Sequence, residues 1–195
     1  MTGGINIHKS PVIFRDCTFS NFRTEDALNI ISSSFTLANC SFAQTYSDAF
    51  DGDFATGEIQ NCQFEDIGGD GIDFSGSIAK IIDCSFDNVT DKAISIGEAS
   101  KVDVLNASVD GAAFGVVSKD LSTTTIYDSA FQNITKSAFS AYQKKNSFGP
   151  AQLKVIESNV LTVAKEFLIQ DNSEAWNNGK AIQTIPININ TLYVD

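Results

Sequence analysis

Apolar residues recur along this chain in three columns with a repeat of 22–23 residues, while a helical period of 3.6 is not sustained. The clearest column begins with cysteines. Cys17, Cys40, Cys62 and Cys84 are each followed two residues later by a phenylalanine, at Phe19, Phe42, Phe64 and Phe86. It continues without cysteine as Ala107 and Val109, then Ser129 and Phe131, then Ser158 and Val160 after an insertion. A second column lies upstream at Phe14, Leu37, Ile59, Ile81, Val104, Ile126 and Val155. The third lies downstream at Ile5, Leu28, Phe50, Ile72, Ile94, Val116, Phe139 and Leu168. Asp16, Asn39, Asn61, Asp83, Asn106 and Asp128 fill the position just before the cysteine column.

Three short apolar strands per repeat, parted by Asn, Asp and Gly turns, predict one coil of a solenoid. The expected fold is all-β: a single-stranded right-handed parallel β-helix of about seven coils. Residues 1–170 form the helix in this reading. Residues 171–195, with Trp176 and the run from Ile182 to Val194, form a last irregular coil or a C-terminal cap of the same domain. The stretch 143–152 is read as an inserted loop, placed several coils from the residues of interest below. Nothing resembles an N-terminal cap, so Met1 is expected to open an excised domain whose first coil is covered by a longer chain, another domain or a second protomer.

Adjacent coils bring cysteine Cα atoms to about 4.8 Å, within reach of a disulfide. Interior side chains on stacked coils point in parallel, however, and Ala107 and Ser129 continue the column. Free, buried thiols are the expectation.

Alternation places the residues after Leu28, Phe50 and Ile72 on the outside of the third strand. One outward column reads Asn6, Asn29, Asp51, Asp73, Ser95, Val117 and Ser140; the next reads His8, Ile31, Asp53, Ser75, Gly97, Lys119 and Tyr142. Asp51, Asp53 and Asp73 therefore meet on a face expected to be exposed, bordered by Asn29 and Ser75. Stacked carboxylates repel, so stability alone does not select them. Two uses would compensate: calcium held by Asp51, Asp53 and Asp73, or a catalytic pair of Asp51 and Asp73 in which one keeps its proton, with Lys119 or Lys92 as a cationic helper. A solvated acidic strand face is the plain alternative. Upstream, Asp26, Asp48 and Asp70 either bind ligand or cap turns. The small residues beside them (Ala27, Ala49, Gly71, Ala93, Gly115, Ala138) either admit the flat face of a ligand or mark a tight bend.

Charge sharpens this picture. The formal net charge is −11, and residues 25–98 hold fourteen of the 24 acidic residues against two lysines, Lys80 and Lys92. Such a surface excludes nucleic acid and anionic membranes as natural partners. No apolar run approaches the roughly 18 residues of a membrane span, and the N-terminal residues show no secretion signal. His8 is the only histidine, so a histidine-based hydrolase or zinc site is not expected.

The coil segments FRDCTFSNFRTEDALNI, ANCSFAQTYSDAFDGDF, QNCQFEDIGGDGIDFSGS and IDCSFDNVTDKAISIGE resemble the repeats of bacterial parallel β-helix carbohydrate-active proteins. These include pectate-lyase-like lyases, polysaccharide epimerases and related domains, and the likeness covers about residues 4–170. The chain is also similar to β-helix domains that accompany spore-coat-kinase-like (CotH-type) domains in longer bacterial proteins. The resemblance implies a polysaccharide partner and an extracellular or envelope location. It carries over only the aspartates, as calcium ligands Asp51, Asp53 and Asp73. The Gly-His-Gly and Arg-x-Lys of polygalacturonase-like enzymes are absent, as is the Asp-Pro-His-Asp of alginate epimerases. Arg15 and Arg23 lie in early coils, away from the third strand, so a pectate-lyase arginine base has no counterpart there. Three functions follow as expectations: a glycan-binding domain, a polysaccharide lyase or hydrolase, and a structural spacer or adhesion domain of a larger surface protein.

Overall fold

In the computed structural model, residues 3–193 are described, and they contain strands, turns and one 3-10 turn at Ile189–Leu192. Every strand pairing between coils is parallel and offset by one repeat. Each coil presents three faces. The aspartate face is built from Ile5–His8, Asp26–Ile31, Asp48–Asp53, Ile72–Ser75, the later halves of Ser85–Gly97, Ser108–Lys119 and Ala130–Tyr142, and finally Phe167–Ile169. A second face runs from Val12–Arg15 through Ser34–Ala38, Thr56–Gln60, Ile78–Ile82, Lys101–Leu105, Thr123–Tyr127 and Gln152–Ile156 to Glu174–Asn177. The phenylalanine face starts at Thr18–Ser20, Ser41–Thr45 and Gln63–Ile67 and then fuses with the aspartate face into continuous strands, bulged at Val89/Lys92 and Ala112/Phe114.

The stack holds about eight coils rather than seven, because Phe167–Ile169 and Glu174–Asn177 add a further rung. Corners are left-handed. Asp16, Asn39, Asn61, Asp83, Asn106 and Asp128 all have φ between 46° and 55°, the region that Asn and Asp tolerate best among residues with a side chain. Their amides also ladder: Asn39 donates to Asp16 at 3.0 Å, Asn61 to Asn39 at 2.9 Å, and Asn106 to Asp83 at 2.7 Å.

Inside, Phe19, Phe42, Phe64 and Phe86 stack face to face at 4.6, 4.9 and 4.7 Å, each contact adding on the order of 1 kcal/mol beyond burial. The four cysteines are free; Cys40, Cys62 and Cys84 are buried. The small-residue column belongs to this core. A Cβ on Gly71 would lie 2.6 Å from the Ala93 carbonyl and 2.9 Å from the Phe86 ring, and Gly115 meets Ala138 and Phe131 in the same way. The bend needs small residues because the phenylalanine ladder presses against it.

Two expectations change near the C-terminal end. Phe139 pairs with Phe167, not Leu168. This one-residue shift turns Leu168 outward. After the hairpin between Trp176–Asn177 and Lys180–Ala181, Ile182 packs on the main core and residues 183–193 turn back as a strap over the outside of the aspartate face. Ile185 bridges to Gln170, and Ile187, Ile189 and Leu192 pack on Phe114, Val117, Tyr142 and Leu168. Val194 lies outside the described residues.

Candidate functional site: a recessed acidic face

Parallel pairing stacks Asn29, Asp51, Asp73, Ser95 and Val117 in one outward column, and Ile31, Asp53, Ser75 and Gly97 in the next. At the bend beside them, Asp48 accepts the Asp70 N–H at 2.8 Å and Asp70 accepts the Lys92 N–H at 3.0 Å. These two carboxylates therefore tie each coil to the next, as turn caps do. Asp26 lies at the same position one coil below Asp48.

The face is recessed rather than openly exposed. Asn29, Asp70, Lys92 and Lys119 are 5%, 6%, 4% and 8% exposed, and Asp48, Asp51, Asp53, Asp73 and Ser75 are half-buried. Coils about 4.8 Å apart leave little water between like columns, and a lysine from above closes the gap further. Gly97 makes room for it: a Cβ there would sit 2.8 Å from the Lys119 Cε. The Lys119 stem lies across that coil, so its ammonium donates to Ser95 Oγ at 2.7 Å and reaches Asp73 at 3.7 Å. Lys92 contacts both Asp70 oxygens at 3.2 and 3.4 Å and also pairs with Asp91.

Burial governs the ionisation here. It pushes the Asp51 carboxyl up to about 9, with repulsion from Asp53, Asp73, Asp26 and Asp48 adding to it. Asn29 Nδ2 donates to Asp51 at 2.8 Å. Burial raises Asp26 to about 6 against its hydrogen bond from Asn29, and burial likewise raises Asp48, Asp53 and Asp70. Burial pulls the Lys92 ammonium down, but Asp70 and Asp91 outweigh it and hold the proton more firmly than usual. Lys119 follows the same pattern, with Asp73 and Asp70 prevailing. At neutral pH the recess therefore holds fixed ammonium groups beside carboxyls whose ionisation burial opposes, Asp51 among them with its proton favoured.

Other expected residues move relative to the site. Among the described residues, the acidic group that converges to within 4.8 Å is Asp48, Asp70 and Asp73, not Asp51, Asp53 and Asp73. The bend carries Asp48 and Asp70 toward Asp73, whereas a strand rise separates Asp51 from Asp53. The 143–152 insertion is not remote. Asp120 accepts the Lys144 and Lys145 N–H groups at 2.6 Å each, which folds the loop down so that Lys145 pairs with Glu98. Tyr193, which the repeat could not flag, joins the site from the strap. Its hydroxyl meets that of Tyr142 at 2.6 Å, and its ring faces Lys144 at 4.1 Å and Lys92 at 5.5 Å. His8 stays exposed in the first coil.

The family described as "Right handed beta helix region" matches residues 1–131 and again 31–185. The chain belongs to this right-handed β-helix family. No curated protein matches this β-helix. Among solved structures it is similar to the catalytic domain of a GH87 alpha-1,3-glucanase in complex with nigerose, at 10% identity and a TM-score of 0.41, over 85% of this chain and 50% of that one. The β-helix thus spans about half the length of the glucanase domain. It is also similar to QnrB1, a plasmid-mediated fluoroquinolone resistance protein, at 9% identity and a TM-score of 0.19, over 83% of this chain and 93% of that one. Identity this low carries no residue of either protein's site onto this β-helix.

Proposed function

We propose that this β-helix binds a glycan in the recess formed by Asp48, Asp51, Asp70, Asp73, Lys92 and Lys119. The observation that carries the reading is the placing of half-buried carboxyls beside the buried, fixed ammonium groups of Lys92 and Lys119; burial favours a protonated Asp51 among them. Sugar hydroxyls both donate and accept. The recess offers donors at Asp51, Lys92 and Lys119, and acceptors at Asp48, Asp70 and Asp73. The buried Asp73 Oδ1 accepts no hydrogen bond from any described residue, so a ligand hydroxyl would satisfy it.

Calcium fits this donor set poorly. Both Asp70 oxygens face Lys92, and Asp73 faces Lys119. An ion needing six to eight oxygens would have to displace two ammonium groups. We take the lysines as the built-in counter-charge.

The same feature favours a second reading, polysaccharide cleavage. A protonated Asp51 one coil from Asp73, about 4.8 Å by coil spacing, is close to the roughly 5–5.5 Å of retaining carboxylate pairs. Asp51 would protonate the leaving oxygen and Asp73 would attack, with Lys119 holding Asp73 in place.

The test is a binding screen by calorimetry against polygalacturonate, laminarin and dextran, with reducing ends measured in parallel. Saturable binding that Asp73→Asn weakens about tenfold or more, without new ends, supports the binding domain. New ends that vanish in Asp51→Asn support cleavage. No binding to any of the three leaves the spacer role.

A further inference from the structure

The recess has one closed end. Across the third and fourth coils Asp51, Asp53, Asp73 and Ser75 stay partly exposed, whereas in the fifth Lys92 and Ser95 are buried; His8 in the first coil is exposed. From the sixth coil to the eighth the same face turns apolar, through Phe114, Val117, Tyr142 and Leu168, and the strap lies over it. The strap is fixed at its upper end by the hydrogen bonds Ile185 N to Ile169 O and Asp171 N to Ile185 O, both 2.9 Å. At its lower end the Lys136 ammonium donates to the Leu192 carbonyl at 3.2 Å, and the Tyr193 and Tyr142 hydroxyls meet. Tyr193 therefore stands across the axis of the groove, above Lys92. The Lys145–Glu98 pair brings the folded 143–150 loop to one flank of that end.

A linear polymer lying along the coils would run into Tyr193. We propose that the site takes the end of a glycan chain, not an internal segment, and that the strap with Tyr193 is the stop that sets this specificity. The inference rests on the glycan reading of the recess and adds the class of ligand. Two coil rises of about 4.8 Å separate Asp51 in the third coil from the level of Lys92 in the fifth, which suits a short terminal oligosaccharide. Tyr193 bounds the terminal sugar, its ring offering an apolar surface and its hydroxyl a hydrogen-bond partner.

The experiment compares intact polygalacturonate and laminarin with their own oligosaccharides of about two to six residues, by calorimetry on the whole chain. Three proteins are used: wild type, Ile189→Asp/Leu192→Asp to lift the strap, and Tyr193→Ala to remove only the stop. Wild type is expected to follow the number of chain ends, so that oligosaccharides bind at least about tenfold better than polymer of equal sugar concentration. Tyr193→Ala should bring the polymer to within about threefold of the oligosaccharides, and the lifted strap should do the same. Wild-type binding that follows total sugar, or a preference for ends that Tyr193→Ala leaves intact, overturns the stop while the glycan reading stands. Binding of neither probe in any form, together with no binding of dextran, removes the glycan reading and the stop with it. Tyr193→Ala, a change at a half-exposed tip, keeps the comparison open should the strap variant fail to fold.

Discussion

In the unfolded chain the Asp51 carboxyl ionises near pH 4, whereas in the fold burial holds its proton to about pH 9. Below pH 4 both states are protonated and the group has no effect on stability. Between about 4 and 9 the unfolded chain has released the proton and the folded chain has not, so stability falls as pH rises, and it levels off above. Asp26 acts in the same direction, but only up to about pH 6. Asp51→Asn should therefore flatten thermal stability between pH 6 and 9 and raise the melting temperature at pH 8 by several degrees, with little change at pH 4. A scan of melting temperature against pH checks this. Lys92 has the opposite character. Removing it in Lys92→Met takes away the cation that lowers Asp70, which burial already raises to about 7; the cost should be about 3–5 kcal/mol at pH 9 and smaller at pH 6, where Asp70 is protonated with or without Lys92. Urea unfolding at the two pH values measures it. The aspartates were legible in the sequence because strand alternation puts them in columns. The cover over Asp73 was not, because it comes from Lys119, two coils above, lying flat over Gly97.

Elements repeat here because each coil is a template for the next. The Phe ladder, the left-handed Asn and Asp corners and the inward apolar columns were readable, since each coil places a similar residue in the same environment. Phe64→Ala should cost about 3–5 kcal/mol in urea denaturation, because it empties the middle of the stack between Phe42 and Phe86. Gly71→Ala should lower stability by about 1–3 kcal/mol, its Cβ forced toward the Ala93 carbonyl and the Phe86 ring. A circular-dichroism melt of that variant decides between a bend that needs small residues and a backbone left open for ligand. Pattern failed where the repeat broke. The Leu168 register slipped by one because the pairing offset, 29 residues from Ile126/Val155 through Ile134/Val163, falls to 28 at Phe139/Phe167: the bend after Val163 is one residue shorter.

At the scale of the molecule, the aspartate face changes character along the axis, from carboxylates, through two lysines, to apolar residues under the strap. The repeat accounts for the first two. Nothing in it foretells the strap, because Ile187, Ile189 and Leu192 occupy no column and find their partners by folding back across several coils. That return fold is what turns a continuous groove into a closed one. If the lysines rather than calcium balance the carboxylates, millimolar calcium should leave the wild-type melting temperature within about a degree, because an ion that does not bind the native state adds no stability. A rise of several degrees would instead place an ion among Asp48, Asp70 and Asp73.

Titration of the Asp51 side-chain carboxyl carbon by NMR, assigned with Asp51→Asn, decides whether the acidic face is a recess that holds a proton. The midpoint is expected far above the ordinary carboxylate range, near pH 9. A midpoint near pH 4 would contradict it and return the face to a solvated acidic surface.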